Sequence, residues 1–245
     1  MSHRRINKST TADIVTSSIF ASGTFKNVWA GHYTSGVRKG QPCVSKEFKS
    51  GSVYEKHYFS EELEIIRHTQ EIVDAFHTAG ILPGREIIVN APEIWSYEDS
   101  AGKKAGQKSL VEPMIENFEK FNSNTGWTGQ DNVWNEVMQA LSHFSYHDSG
   151  RRFLLCDLQG GLYSDGYILS DPVIMSQAHD CGPADLGNDG IKSFFERHRC
   201  GQFCNRNWMK PALTGRAPIP MRQGTTMECP PTRHDRNPLS RLREY

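Results

Sequence analysis

Residues 198–204, with the sequence HRCGQFC, bring one histidine and two cysteines into a short segment. These side chains are common ligands of Zn²⁺, which takes four of them tetrahedrally at structural sites. His198, Cys200 and Cys204 would supply three ligands, and His143 is the candidate for the fourth. The alternative is that His198 is a buried polar residue and that the cysteines fill small spaces in a core. If the metal interpretation holds, residue 143 must fold against residues 198–204.

The chain begins with MSHRRINKST, which has basic residues but no apolar stretch after them. We therefore expect no secretory signal, and the six cysteines are expected to be thiols or metal ligands rather than disulfides. A run of about eighteen apolar residues, as a membrane span requires, is absent from the sequence. With 28 basic and 28 acidic residues, nothing favours a nucleic acid or a membrane surface as a partner. The sequence thus predicts a soluble, intracellular, cytoplasmic protein.

Composition and patterning divide the chain into three parts. Residues 1–17 are polar and expected to be flexible, and residues 212–245 are rich in Pro, Arg, Thr and Gly without periodicity, which is typical of disorder. The globular part is predicted at 18–211, with an N-lobe at about 18–112 and a C-lobe at about 113–211. Strands and helices are mixed along it, which indicates an α+β fold.

Local patterns predict four strands and three helices. The strands are expected at Pro42–Phe48, Glu86–Ala91, Lys108–Glu112 and Arg152–Leu158. One helix should begin at Ser60 as N-cap and stop at Gly80. A second is expected from Asp131 to Phe144, with an apolar face of Val133, Trp134, Val137, Met138, Leu141 and Phe144. A third should start near Asp189 and place Ile191, Phe194, Phe195 and His198 on its buried side.

Acidic and amide groups follow the last predicted strand, in the sequence CDLQG. Asp157 and Gln159 should leave the end of that strand on the same side, since side chains two residues apart share a face. Their oxygens suit a hard cation such as Mg²⁺. Asp171 is a second acidic group, placed in an extended or turn conformation by Pro172. Acidic residues at strand ends are more often solvated turn formers, so these residues alone do not establish a site.

Taken in chain order, several segments together resemble the catalytic domain of the alpha-kinase family. That family includes the myosin heavy chain kinases, the elongation-factor kinases and the kinase domains of certain cation channels. The segments are SLVEPMIENFEKFNSNTGW, ALSHFSYHDSG, LLCDLQGG, LSDPVI and GPADLGNDGIKSFFERHRCGQFC, between residues 109 and 204. The resemblance covers most of residues 20–210 and is specific, because the motifs occur in the family's order.

The resemblance implies a two-lobed, protein-kinase-like α+β fold, with ATP bound between the lobes and a structural zinc in the C-terminal lobe. It implies His143, His198, Cys200 and Cys204 as the zinc ligands, in agreement with the chemistry of these residues. The implied activity is that of a protein serine/threonine kinase. Such an enzyme transfers the γ-phosphate of ATP to a Ser or Thr of a protein substrate.

Roles at the nucleotide site also follow from the resemblance. It implies Asp171 as the catalytic aspartate, Asp157 and Gln159 as contacts to Mg²⁺, and Lys46 as the lysine on the ATP phosphates. A glutamate of the 61–80 helix, Glu62 or Glu64, is a candidate partner for Lys46.

Further contacts with ATP are implied by two other segments. In LVEPM, which resembles the family's hinge, Glu112 and Met114 are implied to meet the adenine. In FNSN, Asn122 and Asn124 match a family segment near the active site. The glycine-rich stretch GPADLGNDG resembles a loop near that site, although glycines in such a pattern more often serve turns.

Two departures from the family pattern favour an alternative. Lys26 stands where family members tend to carry a phosphate-binding arginine, and lysine lacks the bidentate fork. The loop between Asp157 and Asp171 is longer than usual, which leaves Asp165 as a possible substitute for Asp171. The alternative function is a catalytically impaired, kinase-like scaffold that binds ATP or a partner. A zinc-dependent interaction module is a third possibility, against which the set of Lys46, Asp157, Gln159 and Asp171 argues.

Overall fold

The computed structural model describes residues 3–49, 59–130, 132–164, 166–213 and 218–224. Its backbone separates into two units. The sheet unit contains Arg5–Ser60 and Ala91–Glu116, and the mixed unit contains the residues up to Arg4, Glu61–Asn90 and Asn117–Gly224. The expectation of two consecutive lobes does not anticipate this interleaving, in which residues 61–90 join the residues after 117.

The sheet unit is built on one antiparallel sheet. Its strands are β2 (Ala12–Ile14), β3 (Ala21–Ser22), β4 (Lys26–Tyr33), β5 (Pro42–Phe48), β7 (Glu93–Ser96) and β8 (Lys108–Pro113). The order is β2-β4-β5-β8-β7, and β3 pairs with β4. A 3₁₀ helix at Asp99–Lys104 connects the last two strands. Apolar side chains of β4, β5 and β8 alternate between the two faces, so each face has a buried cluster of its own.

The mixed unit contains three helices, α1 (Ser60–Thr78), α2 (Val133–Asp148) and α3 (Gly187–Arg197). The second of them, α2, has Asn132 as its N-cap, whose side chain accepts the Asn135 N–H and so satisfies a free donor of the first turn. Nearly all of its residues after Asn135 are buried, which explains why its sequence is apolar on more than one face.

The strands of the mixed unit are β6 (Glu86–Asn90), β9 (Phe118–Lys120), β10 (Phe153–Cys156), β11 (Gln159–Tyr163), β12 (Gly166–Ser170) and β13 (Val173–Ser176). Strand β1 (Arg4–Arg5) extends one sheet, whose order is β1-β6-β12-β11-β9. Strands β10 and β13 form a separate antiparallel ladder. The helix α3 packs on this ladder through Ile191, Phe194 and Phe195, which share a core with Leu154 and Met175.

The predicted strands and helices are present, with small shifts at their ends. Val133 does not lie on the buried face of α2, because it is the first residue of that helix and is 48% exposed. His198 is buried as predicted, but it caps α3 in an extended conformation instead of continuing the helix. Asp131, the predicted start of the second helix, lies outside the described residues.

Among the described residues, no helix combines the length and the apolar character needed to cross a membrane. Residues 218–224 form neither helix nor strand, but they hydrogen-bond to the mixed unit.

Candidate active site and metal centre

Two short β-ladders meet at the predicted catalytic residues. The β10–β13 ladder ends with the pair Cys156 and Val173, and the β11–β12 ladder starts at Gln159. Asp157 and Asp171 therefore lie on opposite strands in the gap between the ladders. Because the backbone on both sides of the gap is held by a ladder, the two carboxylates have a defined separation and direction.

Both aspartates have a left-handed backbone conformation. The φ angle is +57° at Asp157 and +48° at Asp171. Such a conformation is uncommon for residues other than glycine, although Asp and Asn tolerate it better than most. Backbone strain of this kind persists where the surrounding structure enforces it, and it is concentrated at functional sites.

A buried lysine that the sequence analysis did not select completes the surroundings of Asp157. Lys120 Nζ lies 2.8 Å from Asp157 Oδ1, with only 2% of the lysine side chain exposed. The β9–β11 register pairs Lys120 with Gln159 and so directs it to this position. Burial and the nearby Asp171 raise the pKa of the Asp157 carboxyl, while Lys120 and the Asn124 N–H lower it. The net effect is a raised pKa, with burial as the largest cause.

Gln159 presents an unsatisfied acceptor to the same site. Its Nε2 donates to Asp157 Oδ2 at 3.1 Å and, at 3.4 Å, to the carbonyl of Asp171. Its Oε1 is buried and has no hydrogen-bond partner among the described residues. A buried acceptor left unpaired destabilises a fold by about 1–3 kcal/mol. Carboxylate and amide oxygens are ligands that Mg²⁺ accepts, so Asp157 and Gln159 fit this cation.

The long segment between Asp157 and Asp171 is a β-hairpin. Gln159 pairs with Ser170 at its base, and Tyr163 pairs with Gly166 at its tip. An antiparallel hairpin lengthened at the tip keeps the register at its base. The additional residues therefore leave Asp171 next to Gln159, and this removes the geometric argument against Asp171. Asp165, the possible substitute, lies outside the described residues.

The two asparagines of the FNSN segment have different positions. Asn122 is fully buried, where its Nδ2 donates to Ser142 Oγ and its Oδ1 accepts the Leu158 N–H. It thereby fixes the turn that carries Asp157. Asn124 is half-buried, and its Nδ2 donates to the carbonyl of Ala184 in the glycine-rich stretch. Both side chains position the site through contacts within the protein.

Asp185, within the glycine-rich stretch, is a second residue that the sequence analysis did not select. Its buried carboxylate accepts the N–H groups of Ser176, Cys181 and Gly187 and the hydroxyl of Ser176. Asp180, Cys181 and Asp185 are close enough to hold a metal. Because these hydrogen bonds already occupy Asp185, we interpret it as the residue that fixes the loop conformation.

In the sheet unit, Lys46 forms a buried ion pair with Glu112. The two groups are 2.6 Å apart, and each side chain is less than 5% exposed. Strands β5 and β8 pair Lys46 with Leu110 and Val44 with Glu112, so the two charged side chains share one face of the sheet. Glu112 was predicted as an adenine contact and not as the partner of Lys46. Glu64, one of the partners suggested earlier, pairs with Arg67 at 2.8 Å.

The other predicted nucleotide residues of the sheet unit lie close by. Met114 follows β8 and packs partly buried against Ala21, Val28 and Val44. Its N–H donates to the carbonyl of Pro42, which leaves the segment after β8 in register with β5. Lys26 begins β4, and its Nζ lies 5.7 Å from the centre of the Phe48 ring.

The predicted metal cluster is assembled in the mixed unit. The ligand atoms of His143, His198, Cys200 and Cys204 all lie within 4.8 Å of one another. Cys200 Sγ is 3.7 Å from His143 Nδ1 and 3.7 Å from His198 Nε2, and Cys204 Sγ is 3.6 Å from His198 Nε2. Tetrahedral zinc with its usual bond lengths separates sulfur and nitrogen ligands by about 3.6 Å. The four side chains therefore fit Zn²⁺.

The surroundings of this cluster suit a closed structural site. His143 Nε2 is 3.2 Å from the carbonyl of Met209, to which it donates as an N–H, so that Nδ1 faces the cysteines. Aromatic rings of Phe195, Trp208 and Phe194 lie against the two histidines. Burial lowers the pKa of His143 to about 4 and that of His198 to about 3, so both rings are neutral at pH 7, as metal ligation requires.

The sequence indicated most of these residues but not how they are held. Lys120 precedes the FNSN segment and carries no signal of its own, because a lone lysine on a strand is usually solvated. Its burial depends on the pairing of β9 with β11, which are about forty residues apart. Residue type and spacing, by contrast, indicated His198, Cys200 and Cys204, with His143 as the candidate for a fourth ligand, and the resemblance implied the same four.

The backbone matches those of solved kinase domains. It superposes on the inactive alpha-kinase domain of myosin heavy chain kinase A, solved in complex with ATP, with a TM-score of 0.66. The match covers 80% of this chain and 87% of that chain at 19% sequence identity, and it shows the fold. The fold is thus that of an alpha-kinase catalytic domain, as the resemblance implied.

A model of the Alpha-kinase family matches residues 21–204, more than half of the chain. The chain therefore belongs to the alpha-kinase family, and the resemblance found in the sequence is confirmed. It is 30% identical over 188 residues to alpha-protein kinase 1 of Dictyostelium discoideum, covering 76% of this chain and 13% of that protein. It is 39% identical over 90 residues to alpha-protein kinase vwkA of the same organism, covering 36% of this chain and 14% of that protein. The chain thus spans a small part of these relatives.

Proposed function

We propose that the chain is an ATP-dependent protein serine/threonine kinase, which transfers the γ-phosphate of ATP to a Ser or Thr hydroxyl of a protein substrate. The observation that carries the proposal is the convergence of Asp157, Gln159 and Asp171, with two strained aspartates and an unsatisfied buried amide oxygen. Membership of the alpha-kinase family supports it, as does the complex of ATP with the related myosin heavy chain kinase domain.

In this proposal Asp157 and Gln159 would hold Mg²⁺ through their side-chain oxygens. A cation held there would supply positive charge against the phosphate oxygens of ATP. Lys120 favours the ionised form of Asp157, against the effect of burial on its pKa, and fixes the direction of its carboxylate. Asp171 orients the attacking hydroxyl and accepts its proton. No covalent intermediate with the protein is needed, so the residues act by positioning and by charge.

The resemblance also gives residues of the sheet unit roles in ATP binding, and we propose these roles for them. Lys46 binds phosphate oxygens, and its pairing with Glu112 holds the ammonium group in one direction before ATP arrives. The segment of Glu112 and Met114 meets the adenine. Lys26 adds positive charge for the phosphates, but it lacks the two parallel hydrogen bonds that an arginine could donate to them.

We also propose that His143, His198, Cys200 and Cys204 bind one structural zinc. The matching ligand separations and the neutral, buried histidines support this assignment. Four protein ligands leave no position for substrate or water, so the metal takes no part in the chemistry. A cytoplasmic location and the absence of nucleic-acid or membrane partners stay predictions.

Phosphoryl transfer tests the proposed function. The purified chain is incubated with ATP labelled at the γ-phosphate, Mg²⁺ and a generic basic protein, and the labelled amino acids are then identified. We expect label on Ser or Thr of the substrate, lost in Asp171→Asn, which leaves the buried Lys120–Asp157 ion pair in place. The exposed Asp148, at the end of α2, offers a matched control, since Asp148→Asn should leave the rate unchanged.

The alternative of a catalytically impaired scaffold gives a different result in the same preparation. A scaffold would show ATP-dependent stabilisation in a thermal melt but no transfer of label by the wild-type chain. The intact register between Gln159 and Ser170 argues against this alternative, because it keeps Asp171 beside the proposed Mg²⁺ ligands.

A further inference from the structure

Residues 218–224, here called the strap, lie along the mixed unit as an extended segment. Pro218 and Pro220 flank Ile219, and proline restricts both itself and the residue before it to extended conformations. The side chains of the strap are mostly exposed, with Met221 at 55%. The strap is therefore held to the protein by its backbone rather than by an apolar core.

All the described hydrogen bonds of the strap use its main-chain atoms. Ser123 Oγ donates to the carbonyl of Arg222 at 2.6 Å, and Thr125 Oγ1 donates to the same carbonyl at 2.8 Å. The Arg222 N–H donates in turn to Thr125 Oγ1 at 2.9 Å. Arg197 donates to the carbonyl of Ile219 at 2.8 Å. Contacts of this kind recognise an extended backbone and place little restriction on its side chains.

The surface under the strap is next to the proposed catalytic residues. Ser123 and Thr125 flank Asn124, whose N–H is bonded to the Asp157 carboxylate. At the end of the strap Gly224, with φ +76°, lies so close to Lys120 that a Cβ on it would be 3.2 Å from Lys120 Nζ. Lys120 is the residue that pairs with Asp157. An extended chain on this surface thus ends beside the carboxylates.

We propose that the strap occupies, within its own chain, the surface that receives an extended segment of the protein substrate. This inference rests on the proposed kinase function, since a protein kinase must guide a flexible segment to its catalytic aspartate. The strap competes with substrate by backbone hydrogen bonds alone, and its attachment to the chain gives it a high effective concentration. The surface formed by Ser123, Thr125 and Arg197 is then the docking surface, and displacement of the strap exposes it.

Two substitutions at one position test the inference in the full chain. Arg222→Pro removes the N–H that bonds to Thr125, while Arg222→Ala keeps it and removes only an exposed side chain. We expect Arg222→Pro to lower the KM for a generic basic protein substrate about two- to tenfold, the range for losing one hydrogen bond, with the KM for ATP unchanged. Arg222→Ala should match the wild type. Both variants should melt at the wild-type temperature, since the site is exposed.

A binding measurement tests the docking surface without relying on catalysis. A fluorescent peptide with the sequence RAPIPMRQGTT, residues 216–226, is titrated with each full-length protein, and its anisotropy is followed. Tighter binding to Arg222→Pro than to wild type and Arg222→Ala supports the inference. Equal binding to all three, or a lowered kcat with both KM values unchanged, overturns it. Selective binding to Arg222→Pro without any phosphoryl transfer would uphold the docking surface and refute the kinase proposal.

Discussion

The zinc-type cluster and the carboxylate site lie in the same unit, but they are built in opposite ways. The cluster has neutral, buried rings packed against aromatic side chains, and His198 Nδ1 is its one buried ring nitrogen without a hydrogen-bond partner among the described residues. The carboxylate site has two left-handed aspartates, a carboxyl with a raised pKa and a buried amide oxygen without a partner. We interpret the first arrangement as one that stabilises the fold, and the second as one whose backbone strain a bound cation and substrate would relieve under the proposed function.

This contrast implies that substitutions in the two regions should have different consequences. Loss of a cluster ligand should unfold the protein, whereas loss of the Asp171 carboxylate should leave the fold intact and remove activity. The buried Lys46–Glu112 pair is a third region, outside the cluster and the carboxylate site. A change in this pair should affect both stability and activity.

The largest effect is expected for Cys204→Ala. If a metal holds four ligands there, its binding free energy becomes folding free energy, on the order of 10 kcal/mol. The variant should be insoluble or unfolded, whereas Cys181→Ala, which changes a cysteine outside the cluster, should remain folded. Circular dichroism and elemental analysis check this, with about one zinc per chain expected in the wild type. A folded, metal-free protein with full activity would return the cysteines to the role of small core residues.

A smaller effect is expected for Lys46→Met, on stability and activity together. Removing one partner of a buried ion pair leaves the other charge uncompensated, which costs about 3–5 kcal/mol. Truncating Lys46 is therefore not expected to spare the fold, because Glu112 would stay buried without its partner. The double variant Lys46→Met with Glu112→Leu should recover stability and remain inactive. Urea unfolding and a transfer assay check both outcomes, and an active double variant would remove Lys46 from the phosphate site.

The smallest effect concerns pH, and its sign differs between the two regions. The histidines of the cluster have lowered pKa values, so the unfolded chain binds protons first as the solution is acidified. Their contribution to stability is therefore present above about pH 6.5 and is lost as the pH falls towards 4. Asp157 has a raised pKa and contributes in the opposite direction, since the folded protein binds its proton first.

Urea unfolding across this pH range, with zinc release followed in parallel, measures that sign. The unfolding free energy of the wild type should fall on acidification, together with metal loss. Asp157→Asn should show a steeper fall, because it lacks the opposing contribution. A stability that rises between pH 6.5 and pH 4 would contradict the assignment of the histidines.

The sequence predicted the residues of the His/Cys cluster more completely than those around the carboxylate site, for physical reasons. The residues of the His/Cys cluster could be selected because His198, Cys200 and Cys204 bring zinc-type ligands into a short segment and the resemblance implied the same set with His143, while burial of a helix face is visible in periodicity. Lys120 and Glu112 could not be placed, because their partners depend on strand register between distant segments. The hairpin formed by β11 and β12 was also not predicted. Its glycines interrupt the alternation of apolar and polar residues by which a strand is recognised in sequence.

The measurement that tests the central claim most directly is phosphoryl transfer by Asp171→Asn, with ATP binding measured on the same sample. Asparagine tolerates the left-handed conformation at this position, so the fold should be kept. We predict ATP affinity and melting temperature close to those of the wild type and a rate lower by about 10²–10⁴, the range for loss of a general base. Transfer at the wild-type rate by this variant would contradict the claim that the paired aspartates form the catalytic site.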